Sequence, residues 1–301
     1  MTAFEFSKKI TQYNCRTCGA FVIQSSKLAD DEDADPKVHW DVMTGTLAEV
    51  DGAIELRGHI YLQDTKDGGF ADWLTTWRGK DLRRWSLYDD RDVMTPAGWR
   101  DESSRPIHVK PGDKLHAYCK CGGVQFWIRR AAKSSNNGEP RPQPSMSGEM
   151  CSPALAAWLR ADSGKYLACN CSCNSCRLAT GKEVTQWAYV RTEDIFQDEA
   201  GLIPFAVKFG SLKTYQSSPN VTRSFCSVCG AATFFSAAER EGVVDVAVGL
   251  LASPDGARAE SWLEWRLERL GFRGDTVGRS ESIALAIEHG FDQFQKRSTQ
   301  H

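Results

Sequence analysis

The chain has 301 residues, 41% of them apolar, with 37 basic against 39 acidic side chains for a formal net charge of -2. That is enough for one large domain or two smaller ones with a core; no apolar run approaches the ~20 residues of a membrane span, and the near balance of charge argues against a nucleic-acid-binding surface. The opening MTAFEFSKKITQYN lacks the apolar core and cleavage site of a signal peptide, so a reducing, cytoplasmic setting is expected, and the eleven cysteines read as zinc or redox chemistry rather than as a disulfide framework.

In chain order, TQYNCRTCGAFVIQ (11–24) alternates around Cys15-x-x-Cys18-Gly19 and predicts two short strands joined by a metal-knuckle turn, with glycine supplying the positive φ. The acidic run from Asp30 to Asp35 predicts a solvated loop. VHWDVMTGTL (38–47) and AIELRGHIYL (53–62) predict two more strands on either side of the turn Asp51-Gly52. Asp67-Gly68-Gly69 reads as a turn and FADWLTTW (70–77) as an aromatic cap. The charged stretch from Lys80 to Arg105 reads as the end of a first unit, residues 1–105, and a linker.

The second unit, residues 106–301, opens with LHAYCKCGGVQFWIRR (115–130), a strand with Cys119 and Cys121 on one face, a Gly-Gly turn and a second strand. Residues 131–150 are rich in Ser, Asn, Gly and Pro and predict a flexible insertion. SPALAAWLRAD (152–162) predicts a short helix, with Ser152 at the N-cap, Pro153 in the first turn, and Leu155, Trp158 and Leu159 on one face. The densest thiol run follows in YLACNCSCNSCRLATG (166–181), which holds Cys169, Cys171, Cys173 and Cys176. A strand puts the first three on one face, and a turn brings Cys176 back towards Cys173, the usual way to place two sulfurs on one tetrahedral metal. EVTQWAYV (183–190), VKFGSLKTYQSS (207–218), TRSFCSVCGAATFF (222–235) and VVDVAVGLL (243–251) predict strands, the third run with another knuckle, and SESIALAIEHG (280–290) predicts an amphipathic helix.

An internal repeat links the two units. YNCRTCGAFVI (13–23) aligns with SFCSVCGAATF (224–234), and WDVMTGTL (40–47) with VDVAVGLL (244–251). The first unit has no counterpart of Cys119-x-Cys121 or of the central run, so it reads as a degenerate half-repeat beside a complete unit.

Three motifs stand in order: Cys119-x-Cys121, Cys171-x-Cys173-x-x-Cys176-Arg177, and Arg223-x-Phe225-Cys226-x-x-Cys229-Gly230. This order resembles the glutathione-dependent formaldehyde-activating enzyme family, which also contains centromere protein V, over about residues 110 to 255. The resemblance implies a mainly β, tent-like zinc fold with few short helices. It implies a closed structural zinc at Cys119, Cys121, Cys226 and Cys229, and a second zinc at Cys171, Cys173 and Cys176 with its fourth position open. It also implies a carbon-sulfur lyase that joins glutathione to formaldehyde as S-(hydroxymethyl)glutathione, written backwards. Ser172 stands where histidine is common in the family, and Cys169 is an extra thiol.

Read as chemistry, four thiolates around Zn²⁺ leave no vacancy and make a staple, whereas three leave a soft fourth position suited to a substrate thiolate. The rival is Cys169 as fourth ligand; C-x-C-x-C along an extended strand spans about 13 Å between its end Cα atoms, too far for one ion without a sharp bend. Cys15 and Cys18 supply only two ligands. A third zinc shared with Cys151 or Cys169 and a metal-free knuckle stay equally open. Arg177, Lys182, Arg191 and Arg223 are candidates to receive the carboxylates of a glutathione-like ligand. Glu183, His116 and His59 are the candidate proton carriers, and Trp187 and Tyr189 candidate pocket walls. The leading expectation is a zinc-dependent lyase or synthase acting on a thiol-carbonyl adduct, with the half-repeat as a lid or wall that admits a substrate bulkier than formaldehyde. The alternatives are a zinc Lewis-acid enzyme on a carbonyl substrate without glutathione, and a non-catalytic zinc-binding interaction module. The expected partner is a small molecule, not nucleic acid or membrane, and a homo-oligomer stays open.

Overall fold

Runs of β-branched and aromatic residues broken by glycine turns dictate strands. The computed structural model describes residues 1–28, 37–88, 93–104, 106–130, 159–160 and 163–298 and is mainly β, with three α-helices among the described residues. Strands β1 (Thr2–Glu5), β2 (Ile10–Asn14), β3 (Phe21–Leu28) and β4 (Lys37–Val42) form an antiparallel sheet in that order. Short elements follow: β5 (Gly58–His59), α1 (Leu62–Thr65), β6 (Thr76–Trp77), β7 (Lys80–Asp81) and β8 (Arg83–Arg84). β9 (Lys114–Tyr118) and β10 (Gln125–Arg129) are the hairpin expected around the Gly-Gly turn.

The large sheet is built from β11 (Leu159–Arg160), β12 (Lys165–Cys171), β13 (Thr185–Arg191), β15 (Leu212–Ser218), β16 (Val221–Cys226), β17 (Ala232–Ala237), β18 (Val243–Ala247) and β19 (Leu263–Gly271). Its order is β11-β12-β13-β18-β17-β16-β15, with β19 parallel to β12. β14 (Ile195–Phe196) joins the β9–β10 hairpin. Because side chains alternate across a strand, one face of the large sheet sends Tyr166, Ala168, Val190, Val244, Val246 and Phe234 against Leu115, Phe126 and Ile128 of the small sheet. The other face carries Cys169, Cys171, Trp187 and Tyr189. A further core packs Val50, Trp73, Trp77 and Leu82 against Leu267 and Leu270 of β19 and against Ile283, Ile287 and Phe291 of α3 (Glu281–Ser298). No described helix is long and apolar enough to cross a membrane.

Several expectations change. AIELRGHIYL yields only the two residues of β5, which pair with Arg83 and Arg84, and beyond them Tyr61 takes a left-handed φ of 58° as the chain turns into α1. The helix signature over 152–162 ends instead in strand β11; its first part, with Ser152, Pro153, Leu155 and Trp158, lies outside the described residues, as do the acidic run 30–35, the insertion 131–150 and Cys151. The helix at the C-terminus is 18 residues long, so the few helices are not all short. β19 carries the period-two pattern Leu263, Trp265, Leu267 and was not among the expected strands. Described parts of the stretch read as a linker are packed: Arg84 is buried and donates from Nη2 to Asp72 at 2.6 Å, and Arg100 donates to the Asp255 carbonyl at 2.8 Å.

The two knuckles share their backbone geometry. Cys15 N–H donates to the Ala20 carbonyl at 2.8 Å, and Cys226 N–H to the Ala231 carbonyl at 2.9 Å. Gly19 and Gly230 take φ of 78° and 74°, and the register slips after Tyr13 in one hairpin and after Ser224 in the other. They also pack on each other reciprocally: a Cβ on Gly19 would fall 2.4 Å from the Phe225 ring, and one on Gly230 would fall 2.3 Å from the Asn14 amide.

Asp72 is fully buried between Arg84 at 2.6 Å and Arg258 at 3.1 Å. Removing one member of such a group leaves the others charged and uncompensated, so Asp72→Ala should lower the unfolding free energy by about 3–5 kcal/mol, read by denaturant titration.

Candidate metal centres

The first cluster forms where the β9–β10 turn meets the knuckle between β16 and β17. Cys119, Cys121, Cys226 and Cys229 bring their sulfurs within 4.8 Å of one another. Cys121 Sγ lies 3.5 Å from Cys119 Sγ and 3.4 Å from Cys226 Sγ. A tetrahedral ion with ligands at about 2.3 Å requires sulfurs about 3.8 Å apart, so the donor set fits one zinc. The cysteines are further held by amides: Val124 N–H donates to Cys119 at 3.3 Å, Gly123 N–H to Cys121 at 3.4 Å and Cys229 N–H to Cys226 at 3.5 Å. Such outer contacts orient thiolate ligands.

The second cluster forms where β12 ends. Cys171 is its last residue, and Cys173 is the N-cap of α2 (Asn174–Thr180), accepting the Cys176 N–H at 3.2 Å. The sulfurs of Cys171, Cys173 and Cys176 converge within 4.8 Å, with Cys171 and Cys176 3.6 Å apart. Cys176 is pushed well below the ordinary thiol range by hydrogen bonds from Cys171 and Cys173 and by the Arg223 guanidinium. Cys169 shares the face but not the cluster; its thiol pairs with Tyr189 Oη at 2.9 Å, and burial pushes it up to about 12. Ser172 points the other way, donating to the Gly271 carbonyl at 2.9 Å.

A cavity of about 290 Å³ opens over this cluster. Six neighbouring strands each supply a lining residue: Cys171 from β12, Trp187 from β13, Asp245 from β18, Phe235 from β17, Arg223 from β16 and Ser218 from β15. Tyr189, Asp245, Phe235 and Arg223 stand directly opposite one another in register, which is why they share a face. Arg223 is buried over the Phe235 ring at 4.8 Å; its Nη2 donates to Ser175 Oγ at 2.9 Å and to Cys176 Sγ at 3.6 Å. Its Nε is buried with no hydrogen-bond partner among the described residues. Arg240 stacks on Phe235 at 5.2 Å and donates to Asp245 Oδ1 at 2.6 Å. Burial raises Asp245 to about 6 despite that arginine.

The other predicted residues lie elsewhere. Arg177 donates to the Gly45 carbonyl at 2.7 Å, which ties α2 to the N-terminal unit. Glu183 is held by Arg279 at 2.7 Å, and Arg191 by Asp194 at 2.6 Å. Lys182 is exposed and does not line the cavity. His59 bonds the Leu74 carbonyl at 2.7 Å and His116 stacks on Trp127 at 4.6 Å, both away from the cavity. Cys15 and Cys18 gather no third potential ligand among the described residues. Among the described residues the N-terminal unit supplies none to the cavity lining, and its Gly45 carbonyl braces α2 through Arg177. Arg240, Asp245 and Phe272 were missed, since nothing in an Ala-Glu-Arg or Val-Asp-Val run marks which side chain a cross-strand row will expose.

A mainly β chain with one four-thiol and one three-thiol cluster has the donor chemistry of a cysteine-ligated metal-binding protein. Residues 158–265, the stretch bearing Cys171, Cys173, Cys176, Arg223, Cys226 and Cys229, match the family model described as glutathione-dependent formaldehyde-activating enzyme. The matched stretch leaves out Cys119, Cys121 and the N-terminal unit. No curated protein matches the chain significantly.

If three thiols complete the protein's share of the second site, Cys169→Ser should leave the metal count unchanged at two ions per chain, whereas Cys173→Ser should lower it by one. Elemental analysis of the purified chain reads both. Cys169, neutral and buried in the folded protein, should also resist iodoacetamide at pH 8 until denaturant is added.

Proposed function

We propose that the chain is a zinc-dependent carbon-sulfur lyase or synthase that makes or breaks the adduct of a thiol and a carbonyl compound at Cys171, Cys173 and Cys176. The observation that carries this reading is the contrast between the clusters: four sulfurs close one site, while three line a cavity beside a buried arginine. Zinc held by three thiolates would supply a site of net charge near -1 that accepts a soft thiolate as its further ligand.

The chain's own residues supply the rest. Arg223, anchored by Ser175 and stacked on Phe235, donates towards Cys176 and places positive charge where a carbonyl oxygen gains negative charge as carbon-sulfur bonding proceeds. Asp245, fixed by Arg240, is a buried carboxyl at the cavity wall that can hold the proton released by the thiol and return it to the adduct oxygen. In the synthetic direction the sulfur-hydrogen bond and the carbonyl π bond break, a carbon-sulfur bond and an oxygen-hydrogen bond form, and there is no net oxidation or reduction. Aromatic walls at Trp187 and Phe235 limit water around the reacting atoms.

Cys173→Ser should abolish adduct exchange, followed by NMR of a ¹³C-labelled aldehyde with a thiol, while the four-cysteine site keeps its ion. Unchanged exchange, or a variant that unfolds outright, would assign the cluster a structural role. Arg223→Gln should lower kcat by about a hundredfold, with the metal count unaltered.

A further inference from the structure

The cavity says which thiol it suits, granted the carbon-sulfur reading above. Its lining carries two arginines against two aspartates, Asp245 and Asp275. Arg240 is paired with Asp245 at 2.6 Å, and Arg223 lies against Ser175 and Cys176. Of the four cations expected to anchor a peptide thiol, Arg177 bonds the Gly45 carbonyl, Arg191 pairs with Asp194 and Lys182 lies outside the lining, which leaves Arg223. Glutathione would bring two carboxylates, both ionised at pH 7, beside a thiolate cluster and two aspartates, where Arg223 is the one lining guanidinium without a carboxylate partner among the described residues, so at most one of the two would be answered. Its volume of about 290 Å³ lies at the small end of ligand sites.

The rest of the wall is apolar and aromatic, from Trp187, Val221, Phe235 and Phe272. Phe272 is the telling member. It takes a left-handed φ of 56°, a costly conformation for a bulky side chain, and is 37% exposed, so core packing does not explain its presence. We infer that the cavity binds a small apolar thiol of aromatic size, or its carbonyl adduct, against Phe272 and Phe235, and that glutathione is not its thiol.

Calorimetry on the zinc-loaded full chain tests this with benzyl mercaptan, 2-mercaptoethanol and glutathione. Benzyl mercaptan should bind about tenfold or more tighter than 2-mercaptoethanol, and glutathione no tighter than 2-mercaptoethanol. Phe272→Gly relieves the backbone strain, so it should keep the melting temperature or raise it while erasing the advantage of benzyl mercaptan over 2-mercaptoethanol. Phe272→Ala gives the same comparison if the glycine variant does not fold. Glutathione binding tightest, equal affinity for all three, or an aromatic preference that survives loss of Phe272 would overturn the inference and leave the carbon-sulfur reading standing. Thiol binding that is undiminished in Cys173→Ser would instead overturn that underlying reading.

Discussion

The reactive end of this fold depends on a backbone amide donating to a sulfur. Cys173 caps α2 with its thiol and accepts the Cys176 N–H at 3.2 Å, a position in which serine, threonine or aspartate is the usual choice. That bond bends the chain sharply as it leaves β12, and the bend folds a thiol from the cap and one from the first turn back onto the last thiol of the strand. An extended C-x-C-x-C run could not have done so, which is why Cys169 is left behind with Tyr189.

The large sheet then separates the two thiol clusters by its faces and its edge. One face is sealed against the β9–β10 hairpin, and the four-cysteine cluster sits where the knuckle meets that hairpin, mostly buried. The opposite face carries a row of unlike residues in exact register, with tyrosine, aspartate, phenylalanine and arginine side by side. Packing alone would not choose two charges there. They are tolerated because Arg240 answers Asp245, while Arg223 lies on an aromatic face and against a sulfur.

Much of this was legible from local pattern. The knuckle hairpins and the strands around Trp187 and Val244 follow from spacing and alternation, which are short-range signals, whereas the membership of the two thiol clusters came from the resemblance of the three ordered motifs, since Cys121 and Cys226 stand 105 positions apart. The cations were not. Arg177, Lys182 and Arg191 were singled out for being near the motifs in the chain, yet α2 turns Arg177 towards Gly45 and β13 carries Arg191 to the far end of the sheet at Asp194. Arg223 was found because it adjoins a knuckle whose register is locally determined. Arg240, Asp245 and Phe272 depend on which strands become neighbours, a long-range outcome that no local window contains. AIELRGHIYL failed for a related reason: its apolar residues alternate well enough, but only Gly58 and His59 find strand partners, at Arg83 and Arg84.

The reciprocal seating of the two knuckles bears on how the molecule is made. Asn14 donates to the Cys229 carbonyl at 3.2 Å across 215 positions of chain, and Lys213 reaches the Arg16 carbonyl at 2.8 Å. The knuckle hairpin of β2 and β3 therefore waits for β16 before its glycine finds its partner ring, and contacts so distant in sequence slow assembly. During that interval β2 and β3 expose a pair of thiols, and a nascent chain delayed there is most open to capture by stray metal or oxidant.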